Sequence, residues 1–122
     1  MSDNKEERDV FFAALKEMEQ QVQTCNNKSK FLDNVLTARE QINFAVIDRC
    51  REAVLQLRQC HYVVKSHHRR FGETSLGQDN KARLDELLQA ADDAGQRATE
   101  ALLEIISWVP AAVNTRAVGF NR

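Results

Sequence analysis

One proline, Pro110, and four glycines are all that punctuate 122 residues, and from Lys30 to Phe71 neither occurs. Turns consume Gly, Pro, Asn and Asp. A chain with so few of them makes few turns, and few turns over this length means long helices. Hydrophobic residues at 43% and charged residues at 29% give the balance of a folded globular chain. The length suits one domain. The expected fold is all-α: an antiparallel bundle of three long amphipathic helices, or of four should the middle helix be broken. The bundle domain spans 1–109 and a C-terminal tail spans 110–122.

The apolar periodicity places the helices. Phe11, Leu15, Met18, Val22 and Cys25 recur at spacings of 4, 3, 4 and 3, one stripe on one helical face. The first helix is therefore predicted over Asp3–Cys25, with Asp3 and Glu6 forming a capping box. Asn26-Asn27-Lys28-Ser29 reads as a turn, since Asn tolerates left-handed backbone and Ser caps helices.

The second helix is predicted over Lys30–Phe71. One apolar row holds Leu32, Val35, Ile42, Val46, Ala53, Leu57, Cys60 and Val64. A second holds Ile47, Cys50, Val54 and His61. Unbroken, this helix would be roughly 60 Å long. Phe44-Ala45-Val46-Ile47 is apolar all round, so it is either wrapped by neighbours or marks a break.

Gly72–Asp79 is the clearest loop, with Gly72 at a left-handed C′ position and Asp79 as the next N-cap. The last helix is predicted over Asn80–Val109, ended by Pro110. Its stripe is Leu84, Leu87, Ala91, Ala94, Ala98, Leu102, Ile105 and Val109. The small residues at its centre let a neighbouring axis approach closely.

The net charge of −1, from 17 basic and 18 acidic residues, argues against a dedicated nucleic-acid binder, which needs a basic excess. No apolar run is long enough to span a membrane. The N-terminal Met1–Glu7 segment has no secretion or transit character. Three cysteines, Cys25, Cys50 and Cys60, fit reduced thiols in the cytoplasm better than a disulfide framework.

No phosphate loop, nucleophile elbow or zinc spacing is present. No carboxylate stands at helical ligand distance from His61, His67 or His68, so no metal site is expected. Cys60 and His61 are neighbours in sequence and point apart on a helix. No catalytic residue and no cofactor are assigned. Lys65, His67, His68, Arg69 and Arg70 crowd a predicted helix C-terminus, where cations complement the dipole at about 0.3–1 kcal/mol each. Together with Lys81 and Arg83, the group Lys65, His68, Arg69 and Arg70 is also the candidate site for an anion or an acidic partner.

The expected function is non-enzymatic: a helical structural or adaptor protein that self-assembles or binds a protein partner through exposed apolar faces. Phe12, Phe31, Leu36, Phe44 and Tyr62 lack obvious cover within three helices, and Trp108 and Phe120 are further interface candidates. Two alternatives come from other classes. One is a nucleic-acid-associated, nucleocapsid-like protein using Lys65–Arg70. The other is histidine phosphotransfer through His68 or His67, since His68-Arg69-Arg70-Phe71-Gly72 loosely resembles the exposed-histidine motif of helical phosphotransfer domains. Phe71 stands where that motif has a basic residue, and His67 has Arg70 at that distance but lacks the glycine.

Overall fold

A computed structural model describes residues 2–38 and 43–108, with side chains from residue 5. It contains α1 (Ser2–Ala38), α2 (Phe44–Phe71), the single-turn α3 (Ser75–Asp79) and α4 (Lys81–Ser107), with no strand among the described residues. The long helices α1, α2 and α4 pack pairwise around one core.

Cross-helix contacts give the directions. The ring of Phe11 meets that of Phe71 at 5.5 Å, and Cys25 Sγ donates to the Leu57 carbonyl at 3.6 Å. Residue numbers rise along α1 as they fall along α2, so the two are antiparallel. His61 and His68 on α2 reach Asp92 and Asp85 on α4, again antiparallel. Helix α4 then runs parallel to α1, and Arg83 reaches Glu19 accordingly. The bundle is up, down, up.

The predicted first turn is not a turn. Helix α1 passes through Asn26–Ser29 and continues to Ala38. Its buried stripe runs without interruption through Met18, Val22, Cys25, Ser29 and Leu32. Asn and Ser each cost a helix only up to about 0.7 kcal/mol relative to Ala. Burying Leu32 alone recovers about 1.5–3 kcal/mol, and Asn26 and Asn27 keep their side chains in solvent. Packing outweighs local preference. Ser29, expected to cap a helix, instead lies in the core at 1% exposure, and its hydroxyl has no hydrogen-bond partner among the described residues.

Helix α1 is described to Ala38, and α2 begins at Phe44. Asn43 has an extended backbone, with φ −135° and ψ −179°, and its side-chain oxygen accepts from the Val46 N–H at 3.0 Å. It caps α2 directly before the all-round apolar run. The predicted 30–71 helix is thus divided, its first part belonging to α1. The α2 seam is Ile47, Cys50, Ala53, Val54, Leu57, Val64 and Phe71.

The second connection also differs in detail. Gly72 is right-handed, at φ −56° and ψ −34°, and its N–H donates to His68 O at 2.9 Å. It extends the last turn instead of reversing it. Thr74 caps α3: its Oγ1 accepts from Gly77 N at 3.0 Å and donates to Phe71 O at 2.6 Å. Gly77 is the glycine the connection requires, because a Cβ there would fall 1.7 Å from the Phe71 carbonyl oxygen. Asp79 ends α3 rather than capping α4. Asn80 occupies the cap position, and its amide donates back to Leu76 O at 2.8 Å.

The α4 seam matches its predicted stripe through Leu84, Leu87, Ala91, Ala94, Ala98 and Ile105, with Ala101 buried and Leu102 only half-buried. Ile42, Val109, Pro110 and the 110–122 tail, with Val113, Val118 and Phe120, lie outside the described residues. No helix of the described residues is long and apolar enough to cross a membrane.

Candidate interaction surfaces

Helix α2 carries all three histidines, and each meets a carboxylate on another helix. His61 Nε2 donates to Asp92 at 2.5 Å, His67 to Glu17 at 2.8 Å and His68 to Asp85 at 2.8 Å. The side chains of His67 and His68 are 19% and 27% exposed. His61 lies against Gly95, where a Cβ would come within 3.3 Å of its ring. The carboxylates that sequence spacing could not find along α2 come from α1 and α4. Among the described residues, no group of three or more His, Cys, Asp or Glu is arranged to hold a metal.

The structure brings His68, Arg69 and Lys81 to one cleft and leaves Lys65, Arg70 and Arg83 outside its lining. Lys81 donates to Asp85 at 2.6 Å, so Asp85 is shared by Lys81 and His68. That hydrogen bond from Lys81, followed by the one from His68, holds the Asp85 carboxyl below its usual range. Arg83 donates to Glu19 at 2.8 Å and to Glu86 at 2.5 Å, and the bond to Glu19 pushes its guanidinium further up. Arg69 and Lys81 line a shallow cleft of about 300 Å³ that also holds Glu73 and Asp85. Arg70 lies over the Phe71 ring, 4.9 Å from its centroid, in a different groove rimmed by Glu6, Glu7 and Asp9. Lys65 is exposed. His68, Arg69 and Arg70 occupy the last turn of α2, where cationic side chains complement the negative end of the dipole.

The cysteines are free. Burial pushes the Cys25 thiol up to about 12 from 9.0 and raises Cys50 and Cys60 as well. These are protonated thiols, the opposite of an activated nucleophile.

Of the interface candidates, Phe12 is 48% exposed, Phe31 37%, Phe44 42% and Tyr62 70%. Phe12 and Phe44 are at opposite ends of the bundle, so the aromatics do not form one patch. Leu36 is packed against the core and Trp108 is half-buried. Phe120 lies outside the described residues. Sequence reasoning missed Leu55 and Leu103, at 58% and 63% exposure. The signal was available: Leu55 stands seven residues before Tyr62 and off both apolar rows, so the two share a second, outward face of α2.

No family model, curated protein or solved structure matches the chain.

Proposed function

We propose that this chain is a non-enzymatic helical structural or adaptor protein that associates, with itself or a protein partner, through the outward faces of its helices. The observation that carries this reading is the pair Leu55 and Tyr62 on one exposed face of α2. Single exposed apolar residues need no explanation. Two large ones, two turns apart on a helix whose opposite face is already buried, form the start of a second seam. A tyrosine can bury about 150–250 Å². Phosphotransfer has less support, because Nε2 of His67 and of His68 is held by a carboxylate. Nucleic-acid binding through Lys65–Arg70 has less support because Arg69 and Arg70 serve different grooves. Free thiols suit a reducing, cytoplasmic setting.

The test is light scattering coupled to size-exclusion chromatography at micromolar concentration. The wild type should exceed the 13.9 kDa of one chain, and Leu55→Ser with Tyr62→Ser should lower that mass while leaving the thermal melt in place. A wild type that stays monomeric and soluble at high concentration contradicts the proposal.

A further inference from the structure

The three long helices present three different outward faces. On α2, Arg51, Leu55, Arg58, Tyr62, Lys65 and Arg69 follow at spacings of 4, 3, 4, 3 and 4, and all six are exposed. None of these four cations has an ion pair or side-chain hydrogen bond among the described residues; the pairs formed by Lys, Arg and His use His61, His67, His68, Lys81 and Arg83. On α4, Glu86, Gln89, Asp93, Gln96, Glu100 and Leu103 follow at 3, 4, 3, 4 and 3, again all exposed. Glu86 is held by Arg83. Asp93 and Glu100 accept from Gln89 and Gln96 on their own helix, and Arg97 lines the same cleft without an ion pair to either. The corresponding face of α1, with Asp9, Ala13, Lys16, Gln20, Gln23 and Asn27, carries no such surplus.

We propose that the outward face of α2 docks on the outward face of α4 of a second copy of this chain. This rests on the associative reading above and names its partner. Arg58 to Lys65 and Asp93 to Glu100 are both steps of seven residues, roughly 10 Å along a helix. An antiparallel register that sets Lys65 opposite Asp93 also sets Arg58 opposite Glu100, and the same register brings Leu55 to Leu103 and Tyr62 to Gln96. The two stripes share the 3.5-residue period that keeps a seam facing its partner. Within one chain they cannot meet, because α2 and α4 already contact each other through their inward faces. A second copy is also the partner that the charge balance favours: α2 has six Lys and Arg against two acids, α4 has three against six, and the chain nets −1. A polyanion would find the basic stripe but leave the matching acidic one unexplained.

The experiment is a charge swap. Arg58→Glu with Lys65→Glu sets carboxylate against carboxylate at both paired positions, and Asp93→Lys with Glu100→Lys sets cation against cation there. All four side chains are exposed, so circular dichroism should show both variants folded. By sedimentation at low salt, each variant alone should self-associate at least roughly tenfold more weakly than wild type, since like charges face each other. An equimolar mixture should regain the wild-type mass, because each variant now offers the face the other lacks. Association that persists in either variant, or a mixture that fails to recover, overturns the inference while leaving association through another face standing. A monomeric wild type overturns both readings. Binding of a short RNA oligonucleotide that is lost in the Arg58→Glu, Lys65→Glu variant, without self-association of the wild type, would also overturn it and assign the stripe to nucleic acid.

Discussion

The inward and outward faces of α2 and α4 are built on opposite rules. Inward, both helices are apolar and differ only in size: α2 brings Ile47, Val54, Leu57, Val64 and Phe71, while α4 brings Ala91, Ala94, Ala98 and Ala101 at its centre. Large side chains against small ones let two axes approach closely. Outward, the helices are matched in period and opposed in charge. The inward faces decide whether the chain folds. The outward faces are solvent-exposed and contribute little to stability.

The largest effect that can break this division comes from charging the seam. Leu57 is 1% exposed, and an unpaired buried carboxylate costs several kcal/mol against a total stability of about 5–15. Leu57→Asp should therefore abolish the cooperative thermal melt. Leu102 belongs to the same sequence stripe as the α4 core but is only half-buried, so Leu102→Asp should lower the melting temperature less. Equal effects would mean that the seam of α4 is displaced from the one described.

Alkaline pH probes the same seam. The Cys25 thiol is raised from 9.0 to about 12 by burial. A raised value means the folded chain keeps its proton where the unfolded chain has lost it. The stability contribution is complete below about 9 and drains away as pH rises from there toward 12, at about 1.4 kcal/mol per pH unit. Urea melts on either side of pH 9 should show this loss, and Cys25→Ala should flatten the slope. An unchanged slope in the variant would place the titration elsewhere.

Smaller still is the polar flaw on α1. Ser29 buries a hydroxyl with no partner among the described residues, and Ala is the better helix former. Ser29→Ala should raise stability by about 1 kcal/mol in a urea melt. A loss instead would mean that the hydroxyl is not an uncompensated buried group. The smallest effect belongs outside: Arg69→Ala with Arg70→Ala should cost about 1 kcal/mol or less in thermal stability, the worth of exposed cations at a helix end.

The helical fold and most of the seam were readable from spacing alone, because burial repeats with the helical period and few breakers interrupt it. Phe11, Met18, Leu57, Leu84 and Ile105 lie where their stripes put them. The first connection was misplaced because Asn26–Ser29 has turn composition, and local preferences of tenths of a kcal/mol lose to the burial of Cys25 and Leu32 on the same face. The true cap, Asn43, was hidden by the apolar run after it. The histidines were legible as a group but not as pairs, since Glu17, Asp85 and Asp92 are distant in sequence and reach them only across the bundle. The outward stripes were not legible from residue type, because Leu55 and Leu103 draw their meaning from position on the helix.

The most direct test of charge-guided association is the sedimentation mass of the wild type across a salt series. Exposed charges are screened over about 8 Å at physiological ionic strength and about 3 Å at 1 M. The mass should stand above 13.9 kDa at low salt and fall toward that of one chain as salt rises. A single-chain mass at low salt, or an assembly that salt leaves unchanged, would contradict it.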